Sequence, residues 1–117
     1  MLVDLYECNF NKLYNHSISD IQKDISELIK NNNLQELRNY YHFFGPGAIS
    51  EVISLAESHT TLHSWPEFDY VSLDIFVCNF NRNNKKNALS LYKDLIGFFE
   101  PKEIRKRLYL DSLCLYD

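Results

Sequence analysis

Residues 44–78 read FGPGAISEVISLAESHTTLHSWPEFDYVSLDIFVC, and the alternation within them decides the fold. Near their end Val71, Leu73, Ile75 and Val77 alternate with Ser72, Asp74, Phe76 and Cys78. A period of two belongs to a strand with one buried face. It predicts a strand over Tyr70 to Asn79, with Cys78 pointing the same way as Asp74 and Phe76. Strands are also expected over Ile49 to Ala56 and Thr60 to Trp65. Pro66 stops the second, because proline has no amide proton for a ladder. Gly45-Pro46-Gly47 is a turn: proline fixes φ and glycine permits positive φ. Ahead of it, Glu36 to Phe44 alternates again, with Leu37, Tyr41 and Phe43 on one face and Arg38, Tyr40, His42 and Phe44 on the other.

Outside this block the period changes. Ile18, Ile21, Ile25, Leu28 and Ile29 recur at helical spacing, with Ser19 and Gln22 suited to a capping box. Asn31-Asn32-Asn33 ends that helix, since asparagine tolerates the left-handed conformation of a C-terminal cap. Ala88, Leu91, Tyr92, Leu95, Ile96 and Phe99 mark a second helix, ended near Gly97 and Pro101. The Asn- and Lys-rich run Asn79 to Asn87 reads as a solvated loop. Short strands are expected at both chain ends, over Leu2 to Cys8 and where Ile104, Leu108 and Leu110 alternate with Arg105, Arg107 and Tyr109. Strand, helix, several tightly linked strands, helix, strand implies an α+β fold. It is a two-layer sandwich, a mainly antiparallel sheet with two helices on one face.

At 117 residues the chain is a single domain, 1–117, able to bury roughly two-thirds of its unfolded surface. A formal charge of −4 disfavours nucleic acid and suits a cationic small molecule. No apolar run approaches the ~20 residues of a membrane span, and no basic-then-apolar leader opens the sequence. Neither nucleic acid nor membrane is expected as a partner. Cys8, Cys78 and Cys114 form no CxxC pair and no even framework, so a reducing, cytoplasmic setting is expected.

Chemistry-bearing residues crowd the central block: Ser50, Glu57-Ser58-His59, His63, Glu67 and Cys78. Taken singly, Ser58 is a turn serine, Ser50 a strand hydroxyl and Cys78 a small buried hydrophobe. Phe44 taken alone is a core residue and Glu67 a loop carboxylate. His59, His63 and Cys78 make a poor zinc set, because the segment reads as a strand and no fourth ligand stands out, so no metal is expected. His16 and His42 read as surface residues.

Together, Ser50, Glu57-Ser58-His59, His63, Trp65-Pro66-Glu67 and Cys78 resemble the processing and catalytic core of the short prokaryotic S-adenosylmethionine decarboxylases. His63 lies five positions after Ser58, and Cys78 lies twenty positions after it. The resemblance runs from about Leu2 to Leu110 and is specific from Phe44 to Cys78. It implies a proenzyme that cuts itself at Glu57-Ser58 into a β chain, 1–57, and an α chain, 58–117, turning Ser58 into a pyruvoyl cofactor. Ser58 would attack the Glu57 carbonyl to form an ester; elimination and hydrolysis then leave the pyruvoyl group and ammonia. The resemblance gives Ser50 as a processing hydroxyl, His63 as the base for elimination and Cys78 as the proton donor after carbon dioxide leaves. The pyruvoyl ketone, joined to the substrate amine as a Schiff base, would be the electron sink. Phe44 would stack on adenine and Glu67 accept from the ribose hydroxyls. Asp4 falls at an acidic family position, or is a solvated strand charge. Ala48 and Glu51 depart from family glycines, and Glu51 is expected to add a charge beside Ser50. A Gly-x-His segment usual before the first strand is not found. The implied activity is decarboxylation of S-adenosylmethionine for spermidine and polyamine synthesis, by a homodimer with active sites near the subunit interface. The alternatives are the same chemistry on L-ornithine or L-arginine, or an unprocessed regulatory homologue.

Overall fold

The computed structural model describes residues 1–56, 58–78 and 84–108. The elements in chain order are β1 (Leu2–Tyr6), α1 (Asn11–Asn15), α2 (Ile18–Asn31), β2 (Glu36–Gly45), β3 (Ala48–Leu55), β4 (Ser58–Trp65), β5 (Tyr70–Val77), α3 (Lys85–Phe99) and β6 (Glu103–Leu108). The strands form one sheet in the order β2-β3-β4-β5-β1-β6, with every neighbouring pair antiparallel. The expected α+β sandwich is found. Glu57, residues 79–83, and the expected strand positions Tyr109 and Leu110 lie outside the described residues, as does Cys114.

Sequence explains the helix layer. Ile21, Ile25 and Ile29 of α2 are buried, as are Leu91, Leu95 and Phe99 of α3. Each such side chain stabilises the fold by about 1.5–3 kcal/mol when fully buried, more than one helix cap contributes, so this stripe decides which face turns inward. Asn32 Nδ2 donates to Asp94 Oδ2 at 2.8 Å and ties the two long helices together. The capping box is made by Ser17 with Asp20 rather than by Ser19 with Gln22. Asn33 takes the left-handed conformation, φ 60°, just past the helix. Two other expectations shift. Gly97 lies inside α3, which runs on until Glu100 takes φ 49° as the cap, and Lys85 to Asn87 are helical rather than loop. The short α1 carries one buried residue, Leu13, too few for a periodic signal. Among the described residues no helix is long and apolar enough to cross a membrane.

Alternation in the strands sends Ile49, Ile53 and Leu55 of β3, Leu62 of β4 and Val71, Leu73 and Ile75 of β5 into this core. Among the described residues the opposite sheet face carries no helix. Tyr40, Val52 and Trp65 remain exposed there, and Phe44 at the β2–β3 hairpin is 69% exposed. That hairpin is rigidly pinned. Ser64 Oγ donates to the Gly47 carbonyl at 2.6 Å and accepts from the Ile49 amide at 2.9 Å. Gly47 has φ 76°, which favours glycine, and a Cβ there would sit tightly at 3.2 Å from the Tyr14 ring.

Candidate active site

The open face holds the predicted residues in two groups. The first is a cross-strand row in which His42 pairs with Ser50, Ser50 with His63, His63 with Ser72, Ser72 with Asp4 and Asp4 with Arg105. Ser50 Oγ and His63 Nδ1 are hydrogen-bonded at 2.9 Å, so the two residues expected to serve processing form one unit. Phe44 and Glu67 flank it: Phe44 at the β2–β3 hairpin, edge-on to the His42 ring with centroids 4.5 Å apart, and Glu67 in the exposed single turn Pro66–Phe68 between β4 and β5. The His63, Trp65, Tyr70 and Tyr6 rings continue along this edge at centroid spacings of 6.0, 5.2 and 5.2 Å, and the Arg105 guanidinium lies 5.5 Å from the Tyr6 centroid.

Asp4 is not the solvated strand charge that was one of its expected readings. It is 4% exposed, accepts from the Tyr70 hydroxyl through Oδ1 and pairs with Arg107 Nε at 2.8 Å through Oδ2. Glu51 also corrects an expectation. In a pleated strand it must face away from Ser50, and it is buried with 2% exposure under the helices. It places no charge beside Ser50. Desolvation pushes its carboxyl up to about 8, an effect the neighbouring Tyr41 hydroxyl only partly offsets. Between the ordinary carboxylate range and about 8 the unfolded chain is ionised while the folded chain keeps the proton. Stability therefore falls as pH rises through that window and levels off above it. Glu51→Gln is expected to remove the dependence and to stabilise the fold at pH 7 by on the order of 3 kcal/mol. Urea unfolding at pH 5 and pH 8 checks this; the same gain at both pH values would rule out ionisation as the cause.

The second group stands at the other end of β4. Leu55 pairs with Ser58, so only two residues link β3 to β4. Two-residue hairpin links favour glycine or asparagine because they need positive φ, and Ala56-Glu57 offers neither. Ser58 itself takes φ 148°, a conformation rare outside glycine. Ser58 pairs with Val77, which places Cys78 one residue beyond its partner. Cys78 follows the last residue of β5, on the sheet face of Asp74 and Phe76. Cys8 is buried, and desolvation first, with Asp69 second, raises its thiol to about 11. It is a packing residue.

The two groups do not meet within one chain. β4 is unbroken from Ser58 to Trp65, so Ser58 and His63 are separated by about 16 Å at the usual rise per strand residue. Two residues that motif reading left without a role do reach this end. His59 Nδ1 is 3.3 Å from Ser58 Oγ, and His59 Nε2 is 3.5 Å from Asp74 Oδ2. The alternation of β5 put Asp74 on the face of Cys78, but only the β4–β5 register brings it to His59.

A sequence model of the S-adenosylmethionine decarboxylase family matches residues 1–109. Two relatives named S-adenosylmethionine decarboxylase proenzyme are each 31% identical: one from a Sulfurihydrogenibium species over 108 residues, covering 92% of this chain and 77% of the relative, and one from Clostridium botulinum strain Loch Maree over 109 residues, covering 92% and 90%. A crystal structure of the adenosylmethionine decarboxylase from Aquifex aeolicus superimposes with a TM-score of 0.77 at 28% identity, covering 92% of this chain and 84% of that one. On this evidence the chain belongs to the S-adenosylmethionine decarboxylase family.

Proposed function

We propose that this chain is a proenzyme that cuts itself at Glu57-Ser58 and then, as a homodimer, decarboxylates S-adenosylmethionine, supplying aminopropyl groups for spermidine and other polyamines. The observation that carries the reading is the placement of Ser58. It has a strained φ of 148° at a two-residue strand link, and its paired strand leads directly to Cys78. Strain at the residue after the scissile bond raises the amide's ground state and is relieved when Ser58 Oγ forms the ester. A pyruvoyl group made from Ser58 would be held at the start of β4, whose paired strand β5 leads to Cys78. When formed, that group supplies the electron sink for loss of carbon dioxide.

The remaining roles belong to the chain's own residues. Cys78 gives a proton to the substrate carbon that has lost carbon dioxide. Phe44 and Glu67 bind: the exposed ring offers a stacking face for adenine, and the exposed carboxylate can accept from two ribose hydroxyls. Asp4 contributes by fixing Tyr70 and Arg107 on the same face. A separation of about 16 Å excludes joint action of Ser58 and His63 of one copy. The exposed Tyr40, Val52 and Trp65 on the open face support a second copy laid across it in a two-fold dimer. That copy would bring its own Phe44, Ser50, His63 and Glu67 to the Ser58 and Cys78 of the first.

The direct test is the intact mass of the purified protein together with carbon dioxide release from S-adenosylmethionine. Two fragments, one ending at Glu57 and one starting with pyruvoyl at 58, are expected; a single uncut mass in active protein would overturn the reading. Under reducing conditions Cys78→Ala is expected to process but to turn over about 10²–10⁴-fold more slowly, the usual contribution of a positioned general acid. Unchanged turnover would give the proton to another group.

Substrate choice has its own pair of variants. Phe44→Leu keeps apolar volume and loses the ring face, weakening binding by about 1 kcal/mol, roughly five-fold. Glu67→Gln loses charge-assisted acceptance, at about 1.5–3 kcal/mol. Neither should stop cleavage. L-ornithine and L-arginine have no ring or ribose, so activity on them and none on S-adenosylmethionine would reassign the substrate.

A further inference from the structure

We infer that His59, oriented by Asp74 of the same chain, is the base that takes the Ser58 hydroxyl proton in the first step of self-cleavage; the inference rests on the reading of Ser58 as the cleavage residue. His59 Nδ1 lies 3.3 Å from Ser58 Oγ, and its other ring nitrogen lies 3.5 Å from Asp74 Oδ2. The ring stacks on Phe76, centroids 5.6 Å apart with 19° between planes. The contacts to Asp74 and Phe76 follow from register. His59 pairs directly with Phe76 and Thr61 with Asp74, so Phe76 and Asp74 are the facing and diagonal neighbours of His59 on the open face. Asp74 Oδ1 lies 4.0 Å from the Met1 ammonium, which itself donates to the Ile75 carbonyl at 2.7 Å. The carboxylate is thus held between two nitrogen groups on a sheet strand, and His59 is held between the carboxylate and an aromatic face.

The arrangement has the order nucleophile, imidazole, orienting carboxylate that activates serine hydroxyls in unrelated folds. With its ring proton on Nε2, His59 accepts the Ser58 proton at Nδ1 as Oγ bonds to the Glu57 carbonyl carbon. Asp74 then faces the imidazolium. As the carbon–nitrogen bond breaks, the same proton passes from Nδ1 to the released Ser58 nitrogen. One carbon–oxygen bond forms, one carbon–nitrogen bond breaks, and no proton is gained or lost. His63 cannot perform this step in the same chain, because β4 carries it about 16 Å away. The two histidines therefore divide the work: His59 serves ester formation, and His63 serves the later elimination.

The experiment follows ester formation after synthesis in a His63→Ala background, scored by hydroxylamine cleavage at Glu57-Ser58, and fragment formation with His63 present. His59→Ala and His59→Asn are expected to slow ester appearance about 10²–10⁴-fold. Asp74→Asn should slow it by a smaller factor, and added imidazole should restore part of the His59→Ala rate, which a purely structural defect would not allow. His59→Asn keeps a polar acceptor near Nδ1 without its basicity, so it decides the matter if His59→Ala fails to fold. Ester formation in His59→Asn at the rate of its parent overturns the inference while leaving cleavage at Ser58 intact. Wild-type protein that stays uncut takes down the cleavage reading and this inference together.

Discussion

Ser58→Ala is expected to leave a single uncut chain with no decarboxylase activity at all. The loss is total rather than graded because the hydroxyl is a reactant: without Oγ no ester forms, and without the ester nothing can be eliminated. The fold should survive. Ser58 is only part-buried, and its hydroxyl contacts the His59 ring, so alanine removes one weak hydrogen bond. The strain at φ 148° is a backbone property that alanine shares. A denaturing gel and intact mass check the cut, and circular dichroism checks the fold. Two fragments from the variant would mean that another group opens the chain.

The contrast between Ser58 and Glu51 shows how far the sequence could be read. The β-strand periods, the two amphipathic helix stripes and the Gly-Pro-Gly turn were legible because each follows from local pattern. Glu51 was legible too: it shares the parity of Ile49 and Ile53, so the pleat alone turns it from Ser50 into the core. Its chemical type suggested a surface charge, and geometry overruled type. The cap at Ser17 was harder, since Ser17-Asp20 and Ser19-Gln22 both fit the motif and the packing of Ile21 and Ile25 selects between them. Sheet order was out of reach. β1 and β6 join the sheet beside β5 through pairings more than sixty residues apart in β1–β5 and nearly a hundred in β1–β6. The His59–Asp74 contact depends on the β4–β5 register in the same way. The extent of β4 decided the most: read from Thr60, Ser58 could curl toward His63, whereas a strand starting at Ser58 holds them apart.

That separation leads to the second large effect. His63→Ala alone is expected to form the Ser58 ester and then stall, because the base for elimination is missing; the rate of fragment formation should drop about 10²–10⁴-fold. Hydroxylamine should cut the stalled ester and release the chain ending at Glu57. If elimination is served by a second copy, the defect can be repaired without restoring His63 to the chain that is cut. Ser58→Ala carries an intact Ser50–His63 pair but cannot be cut, and His63→Ala carries an intact Ser58 but no base. Co-expressed, with one variant tagged by mass, the mixed dimer should show cleavage of the His63→Ala chain only, up to the fraction of mixed dimers formed. Neither variant expressed alone should yield the two fragments at a comparable rate. Full stalling of the His63→Ala chain in verified mixed dimers would rule out service across the interface. Wild-type cutting of His63→Ala by itself would remove His63 from the processing reaction and leave His59 as the histidine beside Ser58.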